Sequence, residues 1–267
     1  MDLSGRKIAP TSLVTADLSV GYGSKAVASG ISVEITTGQV FCLLGPNGCG
    51  KTTFFRTLLG LLRPLAGTVR LGGTLLADLS RAEIARRVAY VPQGHTPAFA
   101  YTVEDVVLMG RTAHLGVVSQ PGRRDRLMAH DALEHLGIGE LADADYSRLS
   151  GGQRQLVLIA RALAGEAAFM VMDEPTASLD YGNRSLVLCR IRALADSGIG
   201  VVLSSHDPDH VLAVGDQAAL MRDGLILRQG PVDEVIDSAS IGALYGMPVE
   251  VLVLTDGRRV CLPASPR

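Results

Sequence analysis

Apolar residues occur along this chain in short unbroken runs. Three runs are each closed by a turn or polar residue and followed by a helix-like segment: Val40 to Leu44, Phe169 to Met172 and Gly200 to Leu203. Unbroken runs of this length are typical of parallel strands that are buried on both faces. The pattern therefore predicts an α/β fold in which helices cover both faces of a mainly parallel sheet.

Two other regions follow different patterns. Short alternating segments between Leu13 and Ile35 are broken by glycines, and they predict an antiparallel β subdomain at the edge of the fold. Between Gln93 and Leu149, helix-length segments such as Val103 to Met109 and Arg124 to Leu136 alternate with Gly and Pro residues. This region is predicted to be a helical subdomain inserted into the α/β core.

The end of the chain carries two hairpin signals. Asp223-Gly224 and Asp256-Gly257 each lie between β-type segments, and such pairs favour tight turns between antiparallel strands. We expect one main domain over residues 13–230, with the helical insertion at about 94–149. Residues 231–267 are expected to add a short C-terminal helix and a β-hairpin.

The composition raises the question of a membrane protein. Hydrophobic residues make up 47% of the 267 residues, and the mean hydropathy is +0.27. The most apolar stretch, Leu156 to Met172, is interrupted by Arg161 and Glu166, and no run reaches the ~20 apolar residues that a spanning helix needs. Met1 to Pro10 lacks the apolar region of a secretory signal. The sequence therefore predicts neither a membrane span nor a leader.

Charge and cysteine content exclude further classes. The chain has 25 Lys and Arg residues against 27 Asp and Glu residues, a net charge of −2. This balance gives no electrostatic case for non-specific binding to nucleic acid or to an anionic membrane, so we expect no nucleic-acid partner. The four cysteines show no CxxC pair and no zinc-like spacing, which favours reduced thiols in a cytosolic protein.

The segment after the first buried run fits the GxxxxGK[ST] phosphate-loop pattern and precedes a predicted helix. Its glycines let backbone N–H groups point at phosphate oxygens, and the helix adds its positive N-terminal end. Lys51 supplies a charge for the β and γ phosphates, and Thr52 is suited to ligate Mg²⁺. GTPases, kinases, helicases and transport ATPases share this loop. The candidate nucleotide-binding residues are Gly45, Pro46, Asn47, Gly48, Cys49, Gly50, Lys51, Thr52 and Thr53.

An acidic pair follows the apolar run Phe169 to Met172. Adjacent residues of a strand point in opposite directions, so Asp173 and Glu174 can serve different roles. Asp173 suits the Mg²⁺ shell beside Thr52, and Glu174 suits polarising an attacking water. An acidic pair before a proline could also be a solvated turn, but the phosphate loop favours the functional interpretation.

A second glycine motif, Leu149 to Gln153, precedes a segment, Arg154 to Ala164, that is predicted to be a buried helix. Ser150 is suited to the N-cap, and Gly151 and Gly152 permit close backbone approach ahead of a helix N-terminus. These features predict a second anion site. A capped helix without such a site would explain the Ser-Gly-Gly part alone, although not the whole pentapeptide.

These motifs together resemble those of the ATP-binding cassette (ABC) ATPases, over about Leu13 to Gly230. The phosphate loop resembles the Walker A motif of that family, Phe169 to Asp173 resembles Walker B, and Leu149 to Gln153 is similar to the LSGGQ signature without a departure. The resemblance implies a P-loop NTPase core that binds ATP with Mg²⁺ and hydrolyses it.

Four further residues resemble functional positions of the family. Tyr22 resembles the aromatic residue that stacks on adenine, and Gln93 resembles the Q-loop glutamine, which touches Mg²⁺ or the water. Asp180 lies in a segment similar to the D-loop. A lone histidine after a strand is more often a satisfied structural residue, but the spacing of His206 behind Walker B resembles that of the switch histidine. The resemblance then makes Glu174 the general base, with His206 holding the γ-phosphate and water in line.

The resemblance also implies partners. In this family ATP lies between Walker A of one subunit and the signature of the other, which implies a head-to-tail dimer of this chain or a pair with a second ABC ATPase. Ser150 would then act on the partner's γ-phosphate, and Gly151, Gly152 and Gln153 are further candidate nucleotide-binding residues. Permease subunits on separate chains and a substrate-binding protein are expected, with the insertion as the docking surface. The chain would lie at the cytoplasmic face of the cell membrane.

Two segments indicate a group within the family. Thr102 to Arg111, with His114 shortly after it, and Leu244 to Val249 resemble ATPases of iron-siderophore, haem and vitamin B12 importers. Some members of that group carry molybdate or tungstate. An exporter subunit and a non-transport ABC ATPase remain alternatives, and plain helix and hairpin segments could also produce both similarities.

Overall fold

The computed structural model describes residues 9–94, 100–116 and 119–264. Most of the segment from Met1 to Pro10 lies outside the described residues, so the expectation that it is no leader stays a prediction. Parts of the expected insertion, residues 95–99 and 117–118, lie outside them as well.

Strands and helices alternate along most of the described chain. The strands are β1 (Ser12–Tyr22), β2 (Lys25–Ile31), β3 (Glu34–Thr36), β4 (Val40–Leu44), β5 (Ala66–Leu71), β6 (Thr74–Leu75), β7 (Val88–Val91), β8 (Phe169–Met172), β9 (Gly200–Ser205), β10 (Gln217–Arg222), β11 (Leu225–Pro231), β12 (Val249–Val253) and β13 (Arg259–Pro263). The helices are α1 (Lys51–Leu58), α2 (Arg81–Ala85), α3 (Val103–Leu108), α4 (Arg123–Leu136), α5 (Gly151–Ala164), α6 (Tyr181–Asp196), α7 (Pro208–Val214), α8 (Val232–Val235) and α9 (Ser238–Tyr245).

The core is a six-stranded sheet with the order β11-β10-β4-β9-β8-β7. All neighbours pair in parallel except the edge strand β11, which is antiparallel to β10. Alternate residues of β4 enter two separate apolar clusters, Val40 and Leu44 on one face and Phe41 and Leu43 on the other. Both faces of the sheet are therefore buried, and the predicted α/β class is confirmed.

The buried runs predicted as strands are β4, β8 and β9. The third strand continues to Ser205, beyond the predicted end at Leu203. Ser204 and Ser205 are buried polar residues that remain in the strand because their hydroxyls find partners: Ser204 Oγ donates to Asp173, and Ser205 Oγ donates to the carbonyl of Asp207. Satisfied hydroxyls carry little penalty when buried.

The predicted antiparallel edge is present as a five-stranded sheet. Its strands have the order β2-β1-β5-β6, and β3 also pairs with β1. The sequence patterns did not predict β5 and β6, whose residues are mostly exposed. The apolar side chains of this sheet pack with Phe54 and Phe55 of α1 against one face of the parallel sheet. The helix that follows the phosphate loop is thereby fixed between the two sheets.

The predicted helical insertion follows β7, and α3 and α4 pack against α5. Helix α3 ends at Leu108, one residue before the predicted end, and continues as a 3₁₀ turn over Met109–His114. A Cβ at Gly110 would collide with the carbonyl of Arg161 in α5, so this turn requires glycine. Helix α4 begins one residue earlier than predicted, at Arg123. The boundaries of the insertion at 94–149 stay a prediction.

The chain ends in α8, α9 and a two-stranded sheet of β12 and β13. The two predicted Asp-Gly turns are confirmed, the first between β10 and β11 and the second between β12 and β13. None of the helices in the described part of the chain combines the length and the apolar character of a membrane-spanning segment.

Candidate functional site

The phosphate loop lies between β4 and α1, as the sequence predicts. Gly48 and Gly50 have φ angles of +81° and +115°, a backbone region that favours glycine. Lys51 is 5% exposed, and its Nζ donates hydrogen bonds to the carbonyl oxygens of Gly45 (2.8 Å) and Pro46 (3.1 Å). Burial raises the pKa of the Cys49 thiol within the loop. The loop thus wraps around its own lysine at the N-terminus of a helix, the setting in which backbone N–H groups bind phosphate.

Asp173 is buried directly after β8 and connects two neighbouring elements. The hydroxyl of Thr52 donates to its Oδ2 at 2.7 Å, and the hydroxyl of Ser204 donates to its Oδ1 at 2.7 Å. The N–H of Glu174 in turn donates to Ser204 Oγ at 2.9 Å. Strands β8 and β9 end side by side in parallel register, so Asp173 and Ser204 meet at the carboxyl edge of the sheet.

Glu174 lies after the strand, in a left-handed backbone conformation with φ +46°, which is uncommon for a residue other than glycine. Its Oε1 lies 3.3 Å from Lys51 Nζ. Its Oε2 lies 3.2 Å from Nδ1 of His206 and accepts a hydrogen bond of 3.2 Å from Gln93 Nε2. The two carboxylates engage different groups, as expected, but strand alternation does not explain this because β8 ends at Met172.

Two adjoining clefts open onto these groups. Asn47, Gln93 and Glu174 line both clefts. The first is also lined by Gly48 and by residues 50–53 of the phosphate loop and the start of α1, and the second is lined by His206. The structure therefore brings together the predicted residues Lys51, Thr52, Thr53, Gln93, Asp173, Glu174 and His206.

Tyr22 lies at the end of β1, 47% exposed, and its hydroxyl accepts a hydrogen bond of 2.8 Å from Arg56 of α1. The ring is thus held near the helix that follows the phosphate loop, although it is not among the residues that line either cleft. Its predicted stacking on adenine stays a prediction.

The signature segment caps α5. The N–H of Gln153 donates to Ser150 Oγ at 3.2 Å, and the N–H of Ser150 donates to Gln153 Oε1 at 3.0 Å. A Cβ at Gly152 would collide with Asn183 of α6, whereas at Gly151 the nearest atom, on Leu179, is 3.6 Å away. The segment therefore packs beside the start of α6.

Asp180 also lies in this region. It caps α6, where its carboxylate accepts from the backbone N–H and from Nδ2 of Asn183, both at 2.8 Å. These hydrogen bonds hold the pKa of Asp180 below its ordinary value. Of the residues described, neither Asp180 nor any member of Ser150–Gln153 lines the two clefts at the phosphate loop. The predicted site residues thus fall into two groups.

Sequence reasoning missed two residues at the sheet edge. Ser204 joins Asp173 to the backbone of Glu174, and its position two residues before the candidate His206 was a usable signal. His210 is buried, with Nδ1 3.2 Å from Thr176 Oγ1 and Nε2 3.2 Å from Asp207. Burial lowers the pKa of His210, and this effect outweighs the opposing charge of Asp207. Nothing in the local sequence pattern indicated that contact set.

A phosphate loop between a buried parallel strand and a helix, with acidic residues at the end of a nearby strand, defines a P-loop nucleoside triphosphatase. A family model described as ABC transporter matches residues 28–177 of the chain. The chain belongs to this family and is an ATPase.

Relatives in the same family are similar in sequence over most of the chain. The hemin import ATP-binding protein HmuV of Streptomyces coelicolor is 38% identical over 88% of this chain and 83% of its own. The molybdate import ATP-binding protein MolC of Haemophilus influenzae is 35% identical over 82% of this chain and 81% of its own. A solved chain, described as an inward-facing conformation of a metal-chelate type ABC transporter, is 30% identical, with a TM-score of 0.85 over 96% of this chain and 98% of its own.

Proposed function

We propose that the chain is the ATP-hydrolysing subunit of a metal-chelate importer. The observation that carries this proposal is the similarity to the solved metal-chelate type transporter, which extends over 96% of the chain and so includes the insertion and the C-terminal extension. The hemin import relatives agree with it. The molybdate import relative favours a second candidate, an importer of molybdate or tungstate.

The proposed chemistry uses the residues at the carboxyl edge of the sheet. Lys51 and the N–H groups of residues 45–52 bind the β and γ phosphates. A water attacks the γ-phosphorus while Glu174 Oε2 accepts its proton, and the bond from the γ-phosphorus to the oxygen of ADP breaks. His206, 3.2 Å from Glu174 Oε2, orients that carboxylate and the γ-phosphate. Positioning and charge stabilisation supply most of the rate enhancement.

The residues around Thr52 fit a magnesium ion. The Thr52 hydroxyl and the Asp173 carboxylate lie 2.7 Å apart, and with the amide oxygen of Gln93 they form the oxygen donor set that Mg²⁺ prefers. We propose that these three residues hold the ion. When bound, Mg²⁺ neutralises negative charge on the β and γ phosphates.

The separate location of Ser150–Gln153 supports a head-to-tail dimer, in which one chain supplies the phosphate loop and its partner supplies the signature. The cap of α5 leaves the glycine backbone of Gly151 exposed at a helix N-terminus, where anions bind favourably. Each nucleotide would then contact both chains. Asp180, at the neighbouring helix start, would lie in the same interface.

A cleft between the core and the insertion supports docking of a permease. It is lined by Tyr90, Leu61 and Met109, among others, and the last two side chains are 60% and 39% exposed. Apolar residues exposed together in a cleft are typical of protein contact sites. We propose that a segment of a separate permease chain binds here and holds the ATPase at the cytoplasmic face of the membrane. A substrate-binding protein would deliver the cargo on the other side.

The proposal is tested by affinity capture of the tagged full chain from detergent-solubilised membranes. We expect a polytopic membrane protein to copurify, and Leu61→Asp to lower its yield about tenfold or more, because burying an unpaired charge is costly. Leu225→Asp, at another exposed leucine on β11 (56% exposed), is the matched control and should retain it. Recovery of ribosomes or DNA instead would overturn the transport proposal.

The cargo is tested with the captured complex in proteoliposomes. ATP-dependent uptake of haem, ferric siderophore or cobalamin is expected for the first candidate. Uptake of molybdate or tungstate instead would support the second.

A further inference from the structure

The C-terminal extension contacts the loop that carries His206. We call this loop, residues 206 and 207 between the end of β9 and the start of α7, the switch loop. The hydroxyl of Tyr245, the last residue of α9, donates a hydrogen bond of 2.7 Å to the backbone carbonyl of His206. Residues 39 positions apart in the chain are thus joined directly at the candidate site.

A second contact joins the extension to Asp209, three residues after His206. The backbone N–H of Cys261 in β13 donates to Asp209 Oδ1 at 2.8 Å, in the first turn of α7. Burial is the main cause that raises the pKa of the Cys261 thiol to about 11, and the charge of Asp209 is the next. The extension therefore contacts the switch loop at His206 and the first turn of α7 at Asp209.

Helix α9, which ends at Tyr245, is anchored to the core. Ile241 and Leu244 are both 1% exposed and belong to the main apolar core. The guanidinium of Arg222, at the end of the core strand β10, donates to the carbonyl of Ala243. The hydroxyl of Tyr245 is therefore held relative to the sheet by contacts that do not involve the switch loop.

Within the switch loop, the carboxylate of Asp207 accepts a hydrogen bond of 2.9 Å from the N–H of Asp209 and lies 3.2 Å from His210 Nε2. His206 is the residue of the loop with fewer restraints of its own. The side chain of His206 is 51% exposed, and its ring contacts Glu174 at 3.2 Å. Rotation of the backbone at His206 would move this ring away from Glu174, because carbonyl and side chain belong to the same residue. A hydrogen bond on the carbonyl opposes that rotation and retains the imidazole at Glu174.

We propose that Tyr245 is a positioning residue for ATP hydrolysis, which fixes the carbonyl of His206 and thereby holds the imidazole against Glu174. The inference rests on the proposed role of His206 in hydrolysis. It assigns the C-terminal extension a part in the reaction, since loss of the Tyr245 hydroxyl would free the carbonyl of His206 without altering the phosphate loop.

The test is steady-state ATPase kinetics of the full-length chain with Tyr245→Phe, which removes the hydroxyl and retains the ring. We expect kcat to fall about three- to tenfold, as for loss of one neutral hydrogen bond, with unchanged KM for ATP and unchanged Tm. The matched control is Ser238→Ala. The Ser238 hydroxyl, also in α9, accepts from the N–H of Val251 at 2.9 Å and does not touch the switch loop, so kcat should stay at the wild-type value.

A double variant separates this inference from the proposed role of His206. His206→Ala should lower kcat strongly, and Tyr245→Phe should cause no further fall in that background. If His206→Ala retains full activity, the proposed role of the histidine fails, and the inference fails with it. If His206→Ala is impaired while Tyr245→Phe retains wild-type kcat, the inference alone is wrong. A fall of equal size in both backgrounds would also overturn it.

Discussion

The carboxyl edge of the parallel sheet and the start of α5 each carry a glycine-rich motif, and they differ in what their polar groups contact. At the sheet edge, Lys51, Asp173 and Glu174 are bonded to groups from several elements of the same chain. At the start of α5, the side chains of Ser150 and Gln153 each accept from the backbone N–H of the other residue and have no other hydrogen bond among the contacts described.

We propose that the sheet edge is the reaction centre and that the start of α5 is a recognition surface. The sheet edge positions two carboxylates and an ammonium group by non-local contacts, which is what a preorganised site requires. The start of α5 is a rigid helix terminus whose orientation is set by close packing of Gly152 on Asn183. Such a terminus suits a ligand delivered from outside the chain, and a second copy with nucleotide bound is the partner that we propose.

The largest expected effect is the loss of the proposed base at the sheet edge, Glu174. Glu174→Gln keeps the size of the side chain and its contact with Gln93 but removes the proton acceptor. We expect kcat to fall by about 10³ or more, while ATP binding persists and an ATP-bound dimer accumulates. Single-turnover ATPase assays and light scattering with ATP measure both effects.

Glu250→Gln, the same substitution on the exposed strand β12, is the control and should be silent. A Glu174→Gln chain that stays monomeric in saturating ATP would contradict the dimer.

The second prediction divides the two motifs between two chains. Lys51→Ala disables the phosphate loop, and Gly151→Asp places a carboxylate at the signature without a backbone clash, since the nearest atom to a Cβ there is 3.6 Å away. Each variant alone should be nearly inactive. Co-expressed with different tags and purified through both, the heterodimer has one intact composite site and should recover about half of the wild-type ATPase activity.

A heterodimer that is as inactive as either parent would show that each chain uses its own signature. Wild-type chain carried through the same two-tag purification is the reference for full activity.

The sequence predicted the sheet edge well because its residues are local in the chain. Each feature is recognisable from a few consecutive residues: a phosphate loop, an acidic pair after a buried strand, and a histidine after the next strand. Parallel topology then brings strand ends together, so the contact of Thr52 with Asp173 follows from the fold class.

The sequence could not predict contacts that depend on distant packing. Strands β5 and β6 are mostly exposed and lack an apolar pattern, so pairing with β1 decides their conformation. The bond from Tyr245 to His206 and the buried contacts of His210 join separate elements. No spacing rule encodes such pairs.

The third prediction loosens the far end of α5 and leaves both motifs intact. Arg111, 3% exposed, pairs with Asp125 at 2.9 Å and with Glu166 at 2.6 Å, and it also donates to the carbonyl of Ala164. Arg111→Met leaves both carboxylates without a cation and should cost about 3 kcal/mol of stability. We expect Tm to fall by about 6–12 °C, measured by scanning fluorimetry.

Arg258→Met is the matched control, because the Arg258 pair with Asp256 lies on an exposed turn and its loss should leave Tm unchanged. An unchanged Tm in Arg111→Met would mean that the insertion does not depend on this cluster.

The smallest expected effect is a pH dependence of stability at the sheet edge. Burial lowers the pKa of His210, so the unfolded chain takes up a proton near pH 6.5 while the folded chain does not. The stabilisation is present above that pH and is lost as pH falls, by at most about 1.4 kcal/mol between pH 7.5 and 5.5.

Urea unfolding at both pH values should show a smaller loss of unfolding free energy for His210→Asn than for the wild type. His130→Asn, at an exposed position on α4, should keep the wild-type difference. Equal losses in all three proteins would mean that the charge of Asp207, 3.2 Å from Nε2, offsets the burial.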